Sequence, residues 1–177
     1  MENIFETKED HSNFKWENLG NIKEGRGTLG DDMPVLVYRL MQFTIYDIMS
    51  KTYGRPEADK LLYKAGYLAG SEFVKNTLDL SLDFNVFIAK LTETLAVLKV
   101  GILRIESVDP DVKKIVMTVS EDLDCSGLPL TNERVCTYDE GFIAGILHEY
   151  TGEHYHVQEI DCWASGDRIC RFRCDKE

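Results

Sequence analysis

The feature that most constrains this chain is a set of thiols and one carboxylate gathered toward its end. Cys136 is followed after twenty-two residues by Glu159-Ile160-Asp161-Cys162, and after seven more by Cys170. Thiolates and carboxylates are both zinc ligands, and four protein ligands with no open position make a structural site rather than a catalytic one. Cys136, Glu159, Cys162 and Cys170 are therefore the candidate metal ligands. Tyr155 to Cys162 and Ile169 to Cys174 read as two strands joined by a turn at Ser165-Gly166-Asp167. A three-residue hairpin centred on Gly166 sets Cys162 opposite Cys170, with Cβ atoms roughly 4.5–5.5 Å apart. Two sulfurs at that separation can share one ion at about 2.3 Å each.

Glu159 lies three residues before Cys162, so on a regular strand it points to the other face. Its carboxylate reaches the metal only if the strand bulges or bends. Cys125 is the reserve fourth ligand if the strand stays regular. Cys174 shares the face of Cys170 but lies four residues along, roughly 13 Å at about 3.3 Å per residue, and is left out. Two other readings fit the same spacing: free thiols buried for packing, and a cross-strand disulfide between Cys162 and Cys170.

A chain of 177 residues is read as one domain with a substantial core. Its net charge of −11 speaks against nucleic acid, which needs a basic face, and against docking on anionic membranes. No stretch approaches the roughly 20 apolar residues of a membrane span, and the polar start Met1 to Trp16 lacks the apolar segment of a signal peptide. The expected location is the cytoplasm, where five cysteines serve metal or remain free thiols more than they form disulfides.

Along the chain, residues 1–17 read as a flexible or partner-dependent arm and 18–177 as a single domain. Asn18 to Met33, with Gly20, Gly25, Gly27 and Gly30, predicts turns and one short strand. Pro34 marks the start of a helix to Tyr53 with Leu36, Leu40, Phe43, Asp47 and Ile48 near one face. A second helix runs from Pro56 to about Thr77, where Gly66 and Gly70 form a smooth strip for close backbone approach. A third runs from an Asp83 cap to Leu98, with Phe84, Phe87, Leu91, Leu95 and Leu98 on one face as core or as a cavity wall. From Val100 the period changes to two, predicting a hairpin that turns at Asp109-Pro110-Asp111. Thr137-Tyr138-Asp139-Glu140 reads as a capping box opening a fourth helix, closed by Gly152. Cys136 then precedes a helix N-terminus, which favours a thiolate. Arg134, Arg168, Arg171 and Arg173 are near enough in sequence to offset part of the site's negative charge. Helices first and hairpins later give the α+β class: N-terminal helices on a mainly antiparallel sheet of about four strands.

Several of these stretches resemble the 4-vinyl reductase domain family: Cys125-Ser-Gly-Leu-Pro129, Cys136, Asp139-Glu140-Gly141-Phe142-Ile143-Ala144-Gly145, Glu159-x2-Cys162, Ser165-Gly166-Asp167 and Cys170-Arg-Phe172. The resemblance covers about the last third of the chain. It implies a fold similar to small subunits of the TRAPP vesicle-tethering complex, and a likeness to aromatic-sensing domains of bacterial regulators. In those sensors zinc is held by a Cys…Glu-x2-Cys-x7-Cys set, matched here by Cys136, Glu159, Cys162 and Cys170. A ligand cavity lies close to the metal, and such domains are typically homodimers. The sensors continue into an ATPase module and a DNA-binding segment that have no counterpart here. The apolar residues Ile115, Met117, Ile146 and Val157 stand where a pocket is expected, which implies an aromatic or hydrocarbon-like ligand.

The resulting expectation is a stand-alone small-molecule-binding domain with a structural zinc. The alternative is a scaffold or adaptor acting through dimer or partner contacts, for which the strips Gly66/Gly70 and Gly141/Gly145 are candidate subunit surfaces. A reductase is disfavoured, since no GxGxxG follows a strand. His148, His154 and His156 are read as surface or satisfied core residues.

Overall fold

The computed structural model describes residues 12–177 apart from Pro110, so residues 1–11 of the expected arm and the centre of the first hairpin turn lie outside the described residues. The chain divides into two units, Met1–Asp32 and Met33–Glu177, with the boundary later than residue 17. The first unit contains a 3-10 turn at Trp16–Leu19 and a one-turn helix, α1 (Ile22–Gly25), neither with a buried residue. Asn21 caps α1 by accepting the Glu24 N–H. The short strand expected here does not form among the described residues.

The second unit begins with three helices, α2 (Val35–Tyr53), α3 (Arg55–Thr77) and α4 (Phe84–Val97). The hairpin β1 (Ile102–Val108) and β2 (Lys114–Ser120) follows, then α5 (Thr137–Thr151), β3 (Tyr155–Asp161) and β4 (Cys170–Lys176). Asp83 caps α4 through its carboxylate, which accepts the Val86 N–H. The four strands form one antiparallel sheet in the order β1-β2-β4-β3. Alternation puts Leu103, Ile115, Met117, Val157, Phe172 and Cys174 on its buried face, where α5 covers them with Ile143, Ile146 and Leu147.

Helices α3 and α5 lie back to back through glycine. A Cβ added at Gly66 or Gly70 would come within 3.0 Å of backbone atoms at Tyr138 or Phe142, and one at Gly141 or Gly145 within 3.0 Å of Tyr63, Tyr67 or Ser71. The two glycine strips are thus spent on each other inside the chain, which removes them as subunit surfaces.

The pattern at the start of α5 is not a capping box. Thr137 is already helical, Cys136 is the N-cap, and no side chain caps the helix. Glu140 instead accepts the backbone N–H of Glu159 at 2.7 Å, tying the first turn of α5 to β3.

Helix α2 turns its polar side inward. Tyr38, Arg39, Gln42 and Tyr46 are half-buried, while Leu36, Leu40 and Ile48 are 76%, 64% and 62% exposed, and no residue of the helix is fully buried. The apolar stripe is real, but it faces away from the core.

Because the helix contact is backbone on backbone, Gly141→Ala must push α3 and α5 apart. Urea titration is expected to show a loss of about 1–3 kcal/mol, the usual cost of overpacking. Unchanged stability would contradict the contact.

Candidate metal centre and adjoining cavity

Four cysteine sulfurs meet at one point, each carried by a different piece of the fold. Cys125 lies in the loop after β2, where the Asp122 carboxylate accepts the N–H groups of Asp124 at 2.9 Å and Cys125 at 3.0 Å. Polar side chains of α2 clamp that loop. Tyr38 and Gln42 each donate to the Asp124 carboxylate at 2.7 Å, and Arg39 donates to the carbonyls of Leu123 at 2.7 Å and Ser126 at 2.9 Å. Cys136 is the N-cap of α5, Cys162 follows the end of β3, and Cys170 opens β4.

A bulge brings Glu159 and Cys162 to the same face. The β3–β4 register shifts between Glu159 and Asp161, so one residue is inserted and the alternation resets before Cys162. Extending the shifted register sets Cys162 opposite Cys170. Both cysteines, and Glu159, are buried to 1% exposure or less.

The ligand atoms of Cys125, Cys136, Cys162 and Cys170 all lie within 4.8 Å of one another. Cys136 Sγ is 3.9 Å from Cys162 Sγ and 3.8 Å from Cys170 Sγ, and Cys125 Sγ is 3.0 Å from Cys170 Sγ. Tetrahedral bonds of about 2.3 Å place sulfurs roughly 3.8 Å apart, so two of these spacings fit a metal and the third must open slightly. All five cysteines are free. Cys174, on the same face of β4, is buried among apolar side chains and stays outside the group.

Glu159 lies beside the sulfurs. Its Oε2 accepts the Cys136 N–H at 3.3 Å, and its buried Oε1 has no hydrogen-bond partner among the described residues. Burial above all, with the neighbouring Cys162 adding, pushes this carboxyl up to about 8. The thiols act on each other too. Contacts with Cys125 first, then Cys162 and Cys170, hold Cys136 protonated, while the same kind of contacts, Cys125 first, push the Cys162 thiol down. A buried donor set with an unpaired carboxylate oxygen is what a divalent cation satisfies. The residues present fit such an ion.

Of the four arginines expected to offset the charge, only Arg134 reaches this region, donating to the Glu159 carbonyl at 2.6 Å. Arg168 is exposed. Arg171 pairs with Glu106 and Asp161, and Arg173 with Asp175, so both are engaged away from the sulfurs. The cation facing the Cys125 loop is Arg39, which no spacing rule singles out.

An apolar cavity of about 40 Å³ adjoins the centre between α4, α5 and the first hairpin. Leu91, Leu95, Met117, Ile143 and Ile146 are in its wall, as are Asp122 and Asp139. Of the expected pocket residues, Met117 and Ile146 line it, whereas Ile115 and Val157 are fully buried in the sheet face without lining it. Burial first, then the charges of Asp124 and Asp122, holds the Asp139 carboxyl well above its ordinary range. Burial, then Asp124, pushes Asp122 up to about 6. Sequence reading missed these carboxylates because isolated aspartates in loops and first helical turns normally face water.

A second, open cleft of about 390 Å³ separates α2 and α3 from the 128–137 loop, crossed by the Arg55–Glu133 ion pair at 2.8 Å. The histidines lie elsewhere: His154 and His156 are exposed, and His148 stacks on His154 with ring centroids 4.3 Å apart.

Residues 115–176, from β2 to the end of β4, match the family model for the 4-vinyl reductase domain. The chain carries a 4-vinyl reductase domain. Over 81% of its length it is 28% identical to the uncharacterized protein MJ1642 of Methanocaldococcus jannaschii, covering 78% of that protein. Three solved structures share the fold. One is a vinyl-4-reductase family protein of Methanocaldococcus jannaschii (TM-score 0.61, 16% identity, 94% of this chain and 99% of that one). Another is the phenol-responsive sensory domain of the transcription activator PoxR with phenol (TM-score 0.60, 14% identity, 81% and 75%). The third is trafficking protein particle complex subunit 3 of Naegleria fowleri, covalently bound to palmitic acid (TM-score 0.59, 17% identity, 81% and 95%). The α+β architecture of the 4-vinyl reductase domain is thus the one these proteins have.

The Glu140 bond to the bulge gives a local test. Glu140→Ala leaves the Glu159 N–H unpaired beside the sulfurs and is expected to cost about 1.5–3 kcal/mol, as for a hydrogen bond to a charged group. Hydrogen exchange should show faster exchange at the Glu159 amide, with β2 amides changing no more than the global stability does.

Proposed function

We propose that this 4-vinyl reductase domain binds a small apolar or aromatic molecule, and that a structural zinc ion on Cys125, Cys136, Cys162 and Cys170 holds the ligand site in shape. The observation that carries this reading is the meeting of four buried sulfurs beside an apolar cavity. Glu159 is the alternative fourth ligand that the resemblance to zinc-containing sensors implies. Cys125 is preferred because its sulfur is already grouped with the other three. A cytoplasmic location, with thiols kept reduced, suits such a site.

The cavity, at about 40 Å³, is smaller than the roughly 150 Å³ that accommodates benzene, so a ligand must widen it. That PoxR's sensory domain responds to phenol, and that the Naegleria subunit carries palmitic acid, supports a hydrophobic ligand in a fold of this kind.

Purified protein is expected to carry about one zinc per chain by elemental analysis. Cys162→Ser should abolish stable folding, because metal-binding energy is folding energy in such sites. Cys125→Ser should lower zinc affinity much more than Glu159→Gln; the reverse order would make Glu159 the ligand. Thermal-shift and native mass spectrometry with aromatic and hydrocarbon compounds test the ligand, and retention of none would count against the reading.

The exposed apolar face of α2 favours a second feature, a homodimer. Val37, Leu40, Met41 and Ile48 are each at least 49% exposed, a patch that soluble monomers seldom leave to water. Light scattering is expected to give twice the chain mass, and Leu40→Glu with Ile48→Glu a folded monomer. A monomeric wild type would remove the dimer and with it the main support for a scaffold role.

A further inference from the structure

The small cavity has an acidic end that an apolar ligand alone would leave unanswered. Asp122, 4% exposed, spends Oδ1 on the N–H groups of Asp124 and Cys125. Asp139 lines the same cavity, and its Oδ2 is buried with no hydrogen-bond partner among the described residues. A third carboxylate, Asp124, is satisfied by Tyr38 and Gln42 and leaves no oxygen wanting. Among the described residues, no lysine, arginine or histidine lines the cavity. An unpaired carboxylate oxygen in an apolar wall costs free energy until a donor or a cation meets it. The remaining wall is hydrocarbon: Leu91 and Leu95 from α4, Ile143 and Ile146 from α5.

We propose that the ligand of this cavity is an amine: an apolar body with a protonated nitrogen that sits against Asp139 and Asp122. This rests on the ligand-binding reading above and names the chemistry of that ligand. A hydrocarbon fills the wall but leaves Asp139 Oδ2 bare. A neutral hydroxyl supplies one donor and no charge, and a carboxylate ligand is repelled. An ammonium group supplies three donors and the missing positive charge. The body then occupies the space opened by displacement of the α4 side chains, so binding draws on a wider, less populated form of the cavity.

Isothermal titration of the purified full chain at pH 7 with benzylamine, benzyl alcohol and toluene tests this, since the three share one body and differ in the head. Benzylamine is expected to bind at least about tenfold more tightly than either neutral compound. In Asp139→Asn that preference should fall by about tenfold or more, with toluene affinity little changed. If this variant fails to fold, Asp122→Asn and the wild-type ranking carry the test. Benzyl alcohol or toluene binding as well as benzylamine would overturn the proposal and leave the apolar-ligand reading standing. Binding of none of the three would sink both.

Discussion

The backbone contact between α3 and α5 sets the positions of everything that gives this protein its chemistry. Glycine faces glycine across the helix pair, so α5 can press against α3 on one side and the sheet on the other. That places Cys136, its N-cap, at the level of the β3 bulge, and lays Ile143, Ile146 and Leu147 over the sheet. Side chains on the paired glycines would open the layer by the width of a methyl group, and packed interiors do not absorb such a change freely. The narrowness of the cavity follows from the same close approach.

Around this frame the interior carries an unusual amount of acidity. Four thiols, Glu159, Asp122, Asp124 and Asp139 sit within a short reach of each other, and the facing cation is Arg39, which is spent on backbone carbonyls. Burial raises every one of these carboxyls, so the group holds protons that exposed carboxylates would release. The inward polar side of α2 has a clear role here. It supplies Tyr38 and Gln42 to Asp124 and steadies the Cys125 loop. The cost of committing that side to the loop is an apolar stripe turned toward solvent.

The helices and strands were legible because their apolar residues recur at the right periods and their ends carry proline, aspartate and glycine signals. The three-residue spacing of Glu159 and Cys162 already required an irregular strand, and the register shift lies between Glu159 and Asp161. What was not legible depends on which partner each face meets. The α2 stripe shows a face but not whether anything covers it. The residues Thr137 to Glu140 satisfy a capping pattern, but Glu140 finds a stronger use on the Glu159 N–H across the layer. The glycine strips announced a close approach without naming the partner helix. Cys125 could not be ranked against Glu159, because its place depends on a loop held from a distance by α2.

The cavity and the sulfur cluster are not separate parts of the molecule. Cys136 and Asp139 are three residues apart at the start of α5, so the turn that aims one also aims the other. Asp122 lines the cavity and at the same time holds the Cys125 N–H at 3.0 Å. Cys136 Sγ lies within 4.8 Å of ligand oxygens from both aspartates. Rigid anchoring of the sulfurs therefore fixes the acidic end of the cavity, while the α4 wall, which contributes no side chain to the cluster, is left as the side free to yield. A site built this way keeps the polar head position constant and lets the apolar volume adapt, which is a means of selecting by head group more sharply than by size.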